Sequence, residues 1–154
     1  DIAKLFDRPN FLEGAEKIMR NAVEQSDAKP VFYMIWAHRD NKKLQSDITE
    51  AYAYVARKYD ALLAPAGEVW HRMLRGNRNL AFYREDGNHA TPLGSYLAAS
   101  AIFYALSLRE RPLRITDGDE PHTSLGLDTA LCRRIHSETC RTAKKYNIEK
   151  NFPL

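Results

Sequence analysis

The six residues Val31-Phe32-Tyr33-Met34-Ile35-Trp36 constrain the fold more than any other stretch of this chain. They are apolar without alternation and rich in aromatics, and they run from Lys29-Pro30 to the polar His38-Arg39-Asp40-Asn41. Such a run reads as a strand buried on both faces, the situation of strands in a parallel sheet covered by helices on each side. A strand of this kind needs neighbours. The one other credible strand is Ala61-Leu62-Leu63-Ala64, stopped by Pro65. Two parallel strands by themselves make a marginal sheet.

Around these strands, apolar residues recur at helical spacing. Phe11, Leu12, Ala15, Ile18, Met19, Ala22 and Val23 predict an amphipathic helix capped by Asn10. Ile48, Ala51, Tyr52 and Val55 share one face of a second helix over residues 47–58, and residues 67–74 form a third. Pro92, suited to a first helical turn, opens the most apolar helix, which reaches Leu108. Asp128 caps a final one carrying Ala130, Leu131, Ile135 and Ala143. Between them lie a short extended or single-turn piece at residues 80–83, a polar loop at 84–91 and a long connection at 109–126.

Alternating helix and strand predicts an α/β fold with a parallel sheet. With two strands among at least five helices, the chain reads as the C-terminal part of a single doubly wound domain over residues 1–154. The remaining strands are expected from an N-terminal segment or another chain.

Composition narrows the function classes. With 154 residues, 44% of them apolar and 28% charged, general disorder is excluded and one compact domain is indicated. The net charge of +3 comes from scattered doublets such as Arg133-Arg134 and Lys144-Lys145, which read as solvated helix faces and imply no nucleic-acid partner. The apolar run from Leu97 to Leu108 falls short of the ~18 residues of a membrane span, so no membrane partner is implied. Cys132 and Cys140 sit ~12 Å apart along a helix at 1.5 Å rise per residue, too far to pair. Glu68 and His71 share a helix face but lack the further ligands of a di-metal site, and read as a surface or capping pair. Asp117-Gly118-Asp119-Glu120 reads as a solvated turn rather than a Ca²⁺ loop, and His136 as a surface histidine.

The chemistry lies in the loops. An Asp three residues before a His can accept the imidazole Nδ1 proton, leaving Nε2 free as a general base. Asp86-Gly87-Asn88-His89 and Asp119-Glu120-Pro121-His122 both have this spacing. Context separates them: the first pair is flanked by a short apolar piece and an apolar helix that can anchor it, the second lies mid-loop in an acidic Gly/Pro segment.

The run Asp86-Gly87-Asn88-His89-Ala90-Thr91-Pro92-Leu93-Gly94-Ser95-Tyr96-Leu97-Ala98-Ala99 resembles the C-terminal Asp-x-x-His block of the SGNH (GDSL-type) hydrolases and its following helix. Pro30 to Trp36 is similar to that family's apolar strand ending in Trp, and Leu63 to Trp70 to the segment leading into the helix before the block. Ala90 departs from the Pro that many members carry after the His.

The resemblance implies a flavodoxin-like parallel-sheet sandwich and a serine ester hydrolase, with carbohydrate O-acetyl esters as the expected substrate class. In that reading Asp86 and His89 are the catalytic pair, and no cofactor is required. The family's Ser block and oxyanion-hole residues precede the part that matches. Ser26, Ser46, Ser95, Ser100, Ser107, Ser124 and Ser137 all lack the nucleophile's context. The nucleophile is therefore expected from an N-terminal segment or second chain, without which this one is inactive.

Trp36 and His38, at the C-terminal end of a parallel strand where open α/β sheets bind ligands, are the candidate substrate-binding residues; for Trp36 a place in the core is the equal alternative. The resemblance favours a secreted or periplasmic location. The rival reading is a non-catalytic binding or interaction module that keeps the fold and the Asp-His pair.

Overall fold

A computed structural model describes residues 6–23, 25–110 and 124–150. In chain order they form α1 (Arg8–Ile18) with a wider π turn at Met19–Val23, β1 (Val31–Tyr33), a 3-10 segment at Arg39–Leu44, α2 (Gln45–Lys58), β2 (Leu62–Ala64), α3 (Ala66–Gly76), α4 (Pro92–Glu110) and α5 (Thr129–Asn147). The described residues are mixed α/β and mostly helical, with one small parallel sheet of two strands. Val31 pairs with Leu62, Phe32 with Leu63 and Tyr33 with Ala64.

The sheet is covered on both sides, as its unbroken apolar pattern predicts. Phe32, Met34 and Leu63 pack with Ile48, Tyr52 and Ala56 of α2, with Phe11 of α1 and with Tyr146 of α5. Tyr33 and Trp36 face the other cluster, built from Trp70 and Met73 of α3, Leu97 and Ala101 of α4, and Cys132 and Ile135 of α5. Both cysteine thiols are free, Cys132 buried and Cys140 half-buried. No helix among the described residues is long and apolar enough to cross a membrane.

Several local expectations are corrected. β1 ends at Tyr33 rather than Trp36, because its partner strand leaves the extended conformation at Pro65 (ψ 46°) to enter α3; Met34 still binds back to Ala64 O (2.9 Å) and receives Gly67 N–H (3.0 Å) as that turn is made. Gly67 is required there, since a Cβ would lie 1.9 Å from Ile35 O. The cap of α1 is Asp7, not Asn10: its carboxylate accepts the Asn10 backbone N–H at 3.1 Å, and Pro9 fits the first turn. The polar stretch after β1 is the start of the 3-10 segment, capped by His38. Residues 111–123, including the Asp119/His122 pair and the acidic turn, lie outside the described residues.

The two edges of the sheet differ. At β2 the side chain of Asn147 accepts from Leu63 N–H (2.8 Å) and donates to Leu63 O (2.9 Å), taking the place of a third strand. At β1 the outward N–H and C=O groups of Val31 and Tyr33 have no hydrogen-bond partner among the described residues, and Val31 is exposed. One edge is closed and the other open.

Candidate active site

The loop between β-like Tyr83 and α4 is a tight, internally bonded turn. Tyr83 bridges Ala90 in antiparallel fashion, Arg84 N–H binds His89 O (2.8 Å), and Gly87 N–H closes a four-residue turn on Arg84 O (3.0 Å). Gly87 has φ +71°, in the left-handed region, and a Cβ there would lie 3.0 Å from the His38 ring, so conformation and space both ask for glycine. The Thr91 hydroxyl accepts Gly94 N–H at 3.2 Å and so caps α4, which fixes where the loop ends.

Within this turn Asp86 binds His89 twice. One carboxylate oxygen accepts the backbone N–H groups of Asn88 and His89, each at 2.9 Å; the other meets His89 Nδ1 at 2.5 Å. An ionised carboxylate can only accept, so Nδ1 carries the proton and Nε2 presents a lone pair. The Asn88 N–H foremost, then the His89 ring and the His89 N–H, hold the Asp86 carboxyl well below the usual carboxylate range. The His89 side chain is 72% exposed, and its Nε2 has no partner among the described residues. The arrangement can hold a base of fixed tautomer facing outward.

Trp36 and His38 lie directly beneath the pair. Trp36 is half-buried, stacked on Trp70 with ring centroids 4.1 Å apart, and its Nε1–H donates to Asn88 O at 2.9 Å. It is thus core and site support at once. His38 is 2% exposed, its Nδ1 accepting Asp40 N–H (3.1 Å) and its Nε2 bonding Asp86 O (3.0 Å). With both ring nitrogens so occupied, His38, the expected substrate-binding residue, supports the loop from its buried side. Asp86, His89, Trp36 and His38 are therefore brought together, although only His89 and part of Asp86 face out.

Sequence patterning missed two supports, Gly87 and Tyr83. The Tyr83 hydroxyl donates to Ala37 O at 2.8 Å, and burial pushes its pKa up to about 12. An Asp-Gly turn signals the first; nothing local signals the second.

Two other expectations change. Glu68 is largely buried rather than a surface residue, and it accepts the Tyr146 hydroxyl and Lys145 Nζ (3.3 Å), joining α3 to α5. His71 beside it is half-buried, and burial, then Arg75 and Lys42, hold its pKa below the ordinary histidine value. His136 is half-buried at the α4–α5 seam, sharing a 2.5 Å hydrogen bond with the Tyr96 hydroxyl. A cleft of about 290 Å³ between α3 and α5 is lined by Arg72, Met73, Arg75, Arg134 and Glu138, and neither Asp86 nor His89 borders it.

Comparison of the chain with family models, with curated proteins and with solved structures gives no significant match.

Proposed function

We propose that this chain is the acid–base part of an SGNH-type serine ester hydrolase, its Ser nucleophile and oxyanion hole supplied by an N-terminal segment or a partner chain. The observation that carries this reading is the Asp86–His89 pair: a carboxylate anchored by two backbone N–H groups and set 2.5 Å from Nδ1, with Nε2 facing out. The open edge of β1 supports it too, since a further parallel strand there would extend the present pair toward a flavodoxin-like sheet.

In the proposed reaction His89 Nε2 takes the proton of the attacking Ser hydroxyl as the Ser oxygen bonds to the ester carbonyl carbon. That proton then passes to the departing alkoxide, which leaves as the alcohol. Water, deprotonated by the same Nε2, then attacks the acyl carbon; the Ser oxygen leaves with the proton returned by the imidazolium, the carboxylic acid is released, and Asp86 stabilises the imidazolium in both halves. The chain without its complement lacks the nucleophile and oxyanion donors that dominate acyl transfer, and should not turn over. O-acetyl esters of carbohydrates are the proposed substrate class, on the resemblance of the Asp86 to Ala99 run.

The test joins intact mass spectrometry of the purified material with a chromogenic acetyl-ester assay. A second polypeptide or longer chain bearing a Gly-Asp-Ser-like block, with activity that falls roughly 10⁴-fold in His89→Ala, supports the reading. A protein that has no such Ser and is inactive refutes it. The second reading, a binding or interaction module, would then lead; it draws on the exposed, unengaged edge of His89.

A further inference from the structure

The loop bearing Asp86 and His89 turns a row of carbonyls inward, toward the segment that follows β1. Glu85 O accepts from the Arg39 guanidinium at 2.9 Å, Asp86 O from His38 Nε2–H at 3.0 Å, Gly87 O from Arg39 N–H at 2.8 Å and Asn88 O from Trp36 Nε1–H at 2.9 Å. Four consecutive carbonyls are thus held by three residues within a stretch of four. An extended chain would alternate its carbonyls between two sides. Aligning them requires the left-handed turn at Gly87, where any side chain would press on His38 and Arg39.

Two of the three donors are fixed in their turn. The Trp36 ring is stacked on Trp70, which is 1% exposed. Asp40 N–H on Nδ1 forces the Nε2–H tautomer on His38. The Tyr83 hydroxyl ties the opposite way, from the loop's entry to Ala37 O.

We infer that Trp36, His38 and Arg39 form a positioning clamp that sets the Asp86 peptide so that its carboxylate meets His89 at Nδ1 and leaves Nε2 for the nucleophile. The role for catalysis rests on the function proposed above, but the geometry has a consequence independent of it. The two histidines, linked across the single residue Asp86, hold opposite tautomers: Nε2–H at His38 and Nδ1–H at His89. Trp36, His38 and Arg39 do not touch the reacting atoms; they are positioning residues for His89.

Long-range ¹H–¹⁵N correlation spectra of the labelled chain, taken at about pH 8 where unperturbed imidazoles are neutral, read both tautomers directly. Wild type is expected to show the opposite pair. His38→Gln, whose side-chain amide can donate to Asp86 O, should keep His89 as Nδ1–H. His38→Leu and Trp36→Phe, which remove one donor each, should move the His89 nitrogens toward a mixture of tautomers. In the assembled enzyme the same two variants should lose on the order of tenfold in kcat with KM little changed.

Trp36→Phe keeps an aromatic ring against Trp70 and decides the matter if His38→Leu does not fold. A wild type with like tautomers, or a folded Trp36→Phe whose His89 stays wholly Nδ1–H, overturns the clamp even if the protein is an esterase. Tautomers that respond as stated in a protein without a nucleophile would uphold the clamp and refute the proposed function.

Discussion

Asn147 stands in for a strand, and removing it tests whether a side chain can close a sheet. Its amide oxygen accepts Leu63 N–H at 2.8 Å, and its amide nitrogen donates to Leu63 O and to Ala143 O, each at 2.9 Å. Leu63 is fully buried and Asn147 nearly so. In Asn147→Leu, of similar size, the buried N–H and C=O of Leu63 both lose their partner. Each orphaned group costs about 1–3 kcal/mol, partly offset by the apolar surface that leucine buries. A net loss of about 3 kcal/mol follows, a large part of the ~5–15 kcal/mol that holds a typical domain together.

With a urea dependence of ~1.5 kcal/mol per molar, the unfolding midpoint should fall by about 2 M. Asn147→Asp keeps the acceptor for Leu63 N–H but sets a negative oxygen against Leu63 O. It should be at least as harmful at pH 7 and partly recover in acid, where a protonated carboxyl can donate. Urea titrations followed by helical circular dichroism measure all three proteins. A midpoint for Asn147→Leu within ~0.3 M of wild type would show that the edge needs no side-chain partner and would refute the reasoning.

Four further outcomes follow from the site and from the core around it. Asp86→Asn places an amide where His89 Nδ1–H needs an acceptor, so hydrolysis by the assembled enzyme should fall on the order of 10⁴-fold while the fold persists; equal activity in the two proteins would contradict the assigned role. The depressed Asp86 pKa means that its contribution to loop order is complete above the ordinary value of ~3.9 and is lost only as pH falls through the lower folded value, so a carboxyl carbon titration at or above that ordinary value would contradict the geometry.

Burial pushes Tyr52 and Tyr83 up to about 12, so the stability they lend is whole below the unfolded value of ~10 and lost as pH rises through about 12. Tyrosinate absorbance should show both lagging the exposed tyrosines. Gly94→Ala would put a Cβ 2.5 Å from Phe82 O and 2.6 Å from the Trp70 ring, pushing α4 off the core at a cost of about 1–3 kcal/mol. Thermal unfolding measures it, and an unchanged midpoint would mean that α4 has room to move.

Elements whose signal is periodic or capped could be read from the chain alone. The apolar faces of α2 and α5, the Asp128 cap and the two-sided burial of the Val31 strand all come from patterns local to a dozen residues. The Asp86–His89 pair was legible for the same reason, because three-residue spacing in a turn lets a carboxylate reach both the backbone and the ring of the same partner. Local patterning erred where competing caps stood close together, as at Asp7 and Asn10. It erred also where a polar residue looked exposed on its own helix but met another, as Glu68 meets Tyr146 from α5.

The sequence by itself therefore determined the class of the fold, the places of its helices and the residue types of the candidate site. Tertiary structure alone decided that His38 is a buried support, that Asn147 closes one sheet edge while β1 leaves the other open, and that Trp36 serves core and loop together. Each of these depends on hydrogen bonds between residues roughly 50 to 85 positions apart. Such bonds carry no periodicity; they arise only when packing excludes water and every buried N–H and C=O must find whichever partner the fold has brought within reach.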